Sequence, residues 1–217
     1  DTARLTNAPS ASSPHKSAFG LHRSASIPHL LSMSATPIPR TLALTIYGDL
    51  DLTLLDEMPH GRKPVATEIL VAAQRERAYE RMRLELATGR QCYVICPRID
   101  EPDPEKELAL QAKSVKEEAA RLGRDVFLDQ KIGVLHGAMK PAEREAAMQH
   151  FEHGETNILV ATSVVEVGVN VPNATVIVIE GAERFGLAQL HQLRGRVIRS
   201  NDQAYCYLFS ETKGEKT

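Results

Sequence analysis

The chain has no tryptophan, and aromatic residues of all kinds make up only 5 % of it. Hydrophobic residues still reach 42 %, so a sizeable core is available, built mostly from aliphatic side chains. Such a core suits a parallel sheet covered by helices better than a β-sandwich. Cysteine is scarce: Cys92, Cys96 and Cys206, an odd number with no Cys-x-x-Cys pair. That argues against a disulfide framework and against zinc. It predicts buried, reduced thiols and a cytoplasmic setting. No apolar run reaches the roughly 18 residues of a membrane span, so no membrane partner is expected. A Gly-rich dinucleotide fingerprint is also missing, which weakens a metabolic nucleotide-binding reading. The net charge of −2 neither supports nor excludes nucleic acid, because gripping a phosphate backbone needs only a local basic track. The first residue is Asp1 with no charged-then-apolar leader behind it, which reads as a fragment or a processed product.

Residues 1–29 differ from the rest. Ala, Ser and Pro fill 14 of these positions, and neither a helical nor an alternating pattern is sustained. An irregular segment is expected, with a basic arm using Arg4, Lys16 and Arg23 as the alternative. From His29 onward short apolar runs alternate with helical stretches. The runs are 30–34, 92–96, 132–136, 158–162, 176–180 and 205–209. They are mostly dense in Val, Ile and Leu rather than alternating, as strands buried on both faces are. Helices are predicted over 74–88, stopping at Gly89, over 105–122, stopping at Gly123, and over 141–153, with Pro141 in the first turn and Gly154 beyond the end. Residues 100–104 read as a loop. Strand and helix in alternation imply a parallel α/β sheet with right-handed crossovers.

Ligands of open parallel sheets bind at the carboxyl ends of the strands, and polar residues do close or follow these runs. They are Ser34 and Thr36, Arg98, His136 and Gly137, Thr162 and Ser163, and Glu180 to Arg184. Residues 185–200 then read as one helix with two stripes. Leu190, Leu193 and Val197 make an apolar stripe; Gln192, Arg196 and Arg199 make a polar one. Guanidinium groups are always charged and fork onto phosphate oxygens, so this stripe suits a triphosphate. A solvated basic face near a helix end is the alternative.

Several of these segments, taken in order, resemble one family. Ser34-Ala35-Thr36-Pro37-Ile38-Pro39-Arg40-Thr41-Leu42 is similar to the third motif of superfamily-2 helicases in its RecG-like form. Tyr47-Gly48-Asp49-Leu50-Asp51 followed by Pro59-His60-Gly61-Arg62-Lys63-Pro64 looks specifically RecG-like. His136-Gly137-Ala138-Met139-Lys140-Pro141-Ala142-Glu143 is similar to a helix-opening stretch of the RecG second lobe. Ala161-Thr162-Ser163-Val164-Val165-Glu166-Val167-Gly168-Val169 resembles helicase motif V, and the run 184–197 resembles the approach to motif VI. The resemblance spans about 29–210.

The resemblance implies a RecA-like parallel sheet flanked by helices, working as one of two lobes with ATP in the cleft between them. It divides the chain into 1–29, a remnant of the first lobe or a linker; 30–60, the end of that lobe and a connector; 61–210, the second lobe; and 211–217, a tail. By the same resemblance Gln192, Arg196 and Arg199 face the nucleotide, with Arg199 as the finger, and Gly168 and Asn170 approach its sugar. Thr162, Ser163, His136, Gly137, Arg98 and Arg184 contact the DNA backbone, and Ser34 and Thr36 couple ATP state to lobe movement. The structural alternatives are Gly168 serving a turn before Pro172, His136 and Thr162 satisfied at their own strand ends, and Arg184 paired with Glu180 or Glu183. The implied cofactors are ATP and Mg2+, and the implied partners are branched or forked DNA and the first lobe.

Two departures bear on activity. Neither a Gly-x-x-x-x-Gly-Lys-Thr loop nor an Asp-Glu-x-His box occurs in these residues, so the chain by itself is expected not to hydrolyse ATP. Asn170 stands where the family usually has Asp, and Ile198 where it has Gly. A β-branched side chain is expected to weaken or re-aim Arg199. These substitutions keep a non-catalytic binding module open as an alternative. The transcription-repair coupling translocase is the nearest rival among motors.

Overall fold

The computed structural model describes Thr53 and residues 63–97, 102–162, 171–197 and 202–210. Six strands run through them: β1 (Ala66–Leu70), β2 (Gln91–Ile95), β3 (Ile132–Leu135), β4 (Ile158–Ala161), β5 (Ala174–Ile179) and β6 (Tyr205–Phe209). They form one sheet in the order β1-β6-β5-β2-β4-β3. Every pairing is parallel. The central strands β2, β4 and β5 are buried along their whole length. That burial explains why their sequences are continuously apolar.

Among the described residues four α-helices cover the sheet: α1 (Arg75–Ala87), α2 (Pro104–Asp125), α3 (Pro141–Glu152) and α4 (Leu187–Arg194). Tyr79 and Met82 of α1 and Val115 and Leu122 of α2 share a core with Cys92, Val94 and Val178 on one face. Phe151 of α3 and Leu193 of α4 share a second core with Tyr93, Ile95 and Ile179 on the other. Alternate strand residues thus feed opposite layers, as the period of two requires.

The helix starts follow local chemistry. The Asp103 side chain accepts the Glu105 amide at 3.1 Å ahead of Pro104. The Glu143 carboxylate accepts the Lys140 amide at 3.1 Å ahead of Pro141. Stops at Gly89 and Gly154 occur in the left-handed region, at φ 79° and 74°.

Four sequence expectations need correction. Strand β1 has no counterpart among the apolar runs, because it is an edge strand in which only Leu70 is buried. Helix α2 passes through Gly123 to Asp125; burial of Leu122 and Phe127 outweighs the roughly 1 kcal/mol cost of an internal glycine. It also starts at Pro104, so the expected loop over 100–104 gives way to helix at its last residue. The single helix over 185–200 is instead α4 followed by a tighter 3-10 turn, Gly195–Val197. The run at 30–34 lies outside the described residues, as does the Tyr47–Asp51 motif. All three cysteines are free and buried. Burial pushes the Cys96 and Cys206 thiols up to about 12 and Cys92 higher still, so all stay protonated and unreactive.

Candidate functional site

Strands β3 and β4 pair with Leu135 opposite Ala161, so His136 and Thr162 follow side by side at the carboxyl edge. The Thr162 amide donates to the Leu135 carbonyl at 3.1 Å and carries the ladder to its last residue. Both residues are buried, with 5 % of His136 and 1 % of Thr162 exposed. Backbone needs at His136 are met within the turn toward α3: its carbonyl accepts the Met139 amide at 3.2 Å, and its own amide lies 3.4 Å from the Met139 sulfur. The side chains are another matter. Among the described residues neither His136 Nδ1 nor Thr162 Oγ1 has a hydrogen-bond partner. A buried polar atom without a partner typically costs about 1–3 kcal/mol, so the fold carries an unmet hydrogen-bonding demand at this strand edge. Gly137 lies in the turn directly after His136.

Burial holds the His136 imidazole below its ordinary 6.5; the Lys116 charge lowers it further, and Glu143 opposes both. The unfolded chain therefore binds this proton more readily than the native one. The contribution to stability is complete above pH 6.5 and is lost as pH falls through the native value. Urea unfolding from pH 7.5 to 5 is expected to show this decline in the wild-type chain. A His136→Asn chain should have a flatter profile; equal slopes in the two would remove His136 as the cause.

The run that carries Gln192 and Arg196 follows the end of β5. Gly181 sits at φ 57°, and a Cβ there would come 3.2 Å from Pro97 Cγ. Here the chain turns over the sheet edge through the 3-10 turn Ala182–Arg184, and Phe185 enters the second core. The Gly186 amide donates to Gln189 Oε1 at 3.2 Å and opens α4. Leu193 and Val197 are buried with Leu190 packed beside them, while Gln192 and Arg196 are half-buried on the same run. Arg184 is exposed and forms no ion pair among the described residues; its suggested partner Glu180 is engaged by Arg75.

The described site residues fall into separate places. His136, Gly137 and Thr162 cluster at the ends of β3 and β4. Arg184 stands at the end of β5, with β2 between β5 and β4. Gln192 and Arg196 lie on the α4 face. Ser34, Thr36, Arg98, Ser163, Gly168, Asn170, Ile198 and Arg199 lie outside the described residues.

Sequence reasoning missed two features. Strand β2 leads into α2 on one face while its neighbour β5 leads into α4 on the other, and a cleft of about 270 Å³ opens at this divergence. Cys96, Pro97, Glu180 and, from α2, Ser114, Glu118 and Arg121 are among its lining residues. Missed too was the Arg75–Glu180 pair, which joins residues 105 positions apart. The one sequence signal was an arginine opening a helix, against the preference of the helix dipole.

For ATP, the donors on the α4 run fit: an amide and a guanidinium bind phosphate oxygens without needing a proton removed. Among the described residues no group of three His, Cys, Asp or Glu side chains is placed to hold a metal ion. Nor is any described helix long and apolar enough to cross a membrane.

The pattern of the helicase conserved C-terminal domain matches residues 74–201. The ATP-dependent DNA helicase RecG of Synechocystis sp. is 53 % identical over 186 residues, which is 86 % of this chain and 22 % of the relative. RecG of Aquifex aeolicus is 51 % identical over 191 residues, 87 % of this chain and 23 % of the relative. Among solved structures, RecG bound to a three-way DNA junction matches with a TM-score of 0.68 at 46 % identity, covering 84 % of this chain and 23 % of that one. Domain 2 of the DEAD-box helicase Mss116p, bound to an RNA duplex, matches with a TM-score of 0.51 at 19 % identity, covering 67 % and 54 %, a likeness of fold alone. The fold is thus RecA-like, and the chain spans under a quarter of the length of these two RecG relatives.

Proposed function

Because the chain belongs to the family of helicase conserved C-terminal domains, we propose that it is the second motor lobe of a RecG-type ATP-dependent DNA helicase, acting on branched DNA such as stalled forks and Holliday junctions. The observation that carries the reading is the adjacent pair of buried, unpartnered groups, His136 Nδ1 and Thr162 Oγ1, at the carboxyl edge. The Thr162 hydroxyl, and His136 Nδ1 in the tautomer that protonates it, would donate to phosphate oxygens, which carry no base identity, as a translocating motor requires. Similarity to RecG in complex with a three-way junction supports DNA as the partner.

In this reading Thr162 and His136 grip one backbone segment, with Ser163, Gly137, Arg98 and Arg184 extending the track. Gln192 and Arg196 bind and orient the nucleotide phosphates from the α4 face, Arg199 completes the finger, and Gly168 and Asn170 approach the sugar. Bound ATP supplies the phosphoryl-transfer free energy that drives movement. Its Mg2+ is assigned mainly to the first lobe of the same protein. Ser34 and Thr36 link nucleotide state to the movement of the two lobes, within the division at 1–29, 30–60, 61–210 and 211–217. The setting is the cytoplasm, where three buried thiols persist unoxidised.

Thr162→Val separates this function from folding. The hydroxyl lacks an internal partner, so an isosteric methyl should leave stability unchanged or raise it by about 1 kcal/mol. DNA affinity should fall about tenfold, the cost of one hydrogen bond to a charged oxygen, with an unchanged salt slope because no charge is removed. Fluorescence anisotropy with forked DNA at several salt concentrations measures both quantities in the complete two-lobe protein. Affinity within twofold of wild type would remove Thr162 from the track.

A further inference from the structure

Arg75 donates to both carboxylate oxygens of Glu180, each at 2.5 Å, and stacks 4.4 Å above the Phe209 ring. It also donates to the Tyr79 hydroxyl at 3.2 Å, and that same oxygen receives Arg121 at 2.6 Å. Arg121 in turn forks onto Glu118 at 2.6 and 2.9 Å. The network therefore joins α1, α2 and the ends of β5 and β6 on one face of the sheet. Arg75 opens α1, where the helix dipole disfavours a cation. What the position offers instead is reach to Glu180.

Glu180 occupies a particular place in the chain. Val176 and Val178 point into the α1/α2 core, Ile177 and Ile179 into the opposite one. Glu180 is the last residue on the α1/α2 side before the chain turns at Gly181 and crosses the edge to the α4 face. Its amide also extends the ladder, donating to the Ile95 carbonyl at 2.8 Å. On the far side, Phe185 is buried. The crossing segment 181–184 is thus held at both ends, by the ion pair before it and by the core after it.

We propose that the Arg75–Glu180 pair is a positioning device for the nucleotide-facing run: it pins the strand end from which the chain crosses to the face bearing Gln192 and Arg196. The inference rests on the motor reading above. Neither residue touches nucleotide; both act through the crossing segment. A slack crossing would leave nucleotide able to bind while the guanidinium of Arg196 is misplaced in the transition state, so turnover suffers more than binding.

The test uses the complete two-lobe protein, with DNA-stimulated ATP turnover read per folded molecule at a fixed interval below each variant's Tm. Glu180→Gln and Arg75→Ala should each lower kcat at least tenfold while KM for ATP stays within twofold. Tyr79→Phe keeps the ion pair, removes only the shared hydroxyl and guards against a failure to fold; it should lower kcat two- to fivefold. Exchanging the charges, Arg75→Glu with Glu180→Arg, puts the acid at the helix start and should restore at least a third of wild-type kcat. Lowered Tm with unchanged kcat in the folded variants overturns the proposal, as does a rise in KM that accounts for the whole loss. A wild-type protein without DNA-stimulated turnover overturns the motor reading itself, and this inference with it, before any variant is made.

Discussion

Arg196→Ala in the complete two-lobe protein is expected to slow DNA-stimulated ATP hydrolysis by about 100- to 1,000-fold. The side chain is half-buried on the 3-10 turn Gly195–Val197. Val197, its neighbour, is 1 % exposed and anchored in the second core. The turn therefore gives the guanidinium a rigid base, which in the proposed role would limit reorganisation as charge develops on the phosphoryl group. Guanidinium stays charged at any working pH, so no titration should accompany the loss. Arg196→Lys should recover little, because an ammonium lacks the planar fork. Steady-state ATPase assays over a range of ATP check the split: kcat should carry most of the change. Turnover within threefold of wild type would assign the charge stabilisation elsewhere.

The second large effect concerns stability. Gln91→Ala is expected to destabilise the chain by about 3–4 kcal/mol. Gln91 is 2 % exposed at the amino end of β2. Its amide donates to the Phe151 carbonyl at 2.5 Å and to the Thr156 carbonyl at 2.7 Å, and its oxygen accepts from Asn173 at 3.2 Å. Asn173 also donates to the Gly89 carbonyl at 2.8 Å and accepts from Arg90 at 3.2 Å. One amide thus fastens the end of α3 and the loop before β4 to the central strand. Truncation strands buried carbonyls and opens a cavity, and both costs add. Gln91→Glu should be no milder, because it keeps the shape but loses the donors. Urea unfolding of both variants gives the measurement, and a loss below 1 kcal/mol would show that water or rearrangement satisfies the carbonyls. Asn173-Ala174-Thr175 has the spacing of a glycosylation acceptor, but in this fold Thr175 is fully buried and Asn173 is engaged in the network.

The two predictions differ in how readable they were. Arg196 stood out in the sequence through its spacing on one helical run and the order of neighbouring motifs, and its proposed role is what the turnover assay tests. The apolar partners of that run, Leu193 and Val197, were legible for the same reason, and they are buried. What spacing misjudged was the length of the helix, which tightens after Arg194. Gln91 was not legible. A glutamine before an apolar run reads as a solvated strand start until the carbonyls of Phe151 and Thr156, 60 and 65 residues away, are brought to it. Strand β1 escaped because an edge strand needs little apolar content, and its register comes from β6, far along the chain.

By itself the amino-acid sequence determined the layer order of this protein: dense apolar runs can only be strands covered on both faces, and the capped helical stretches between them can only be the covers. It also determined which residue types stand at the strand ends, because a chain leaving a buried sheet meets solvent there. The tertiary structure alone decided which of those ends are neighbours. Parallel pairing of β3 with β4 sets His136 beside Thr162, and burial leaves both without partners. Crossing from one face to the other at Gly181 brings Arg75 to Glu180. The physical reason is the range of the forces involved: periodicity and capping act within a few residues, whereas hydrogen bonds and ion pairs across the sheet depend on strand order, which local sequence does not encode.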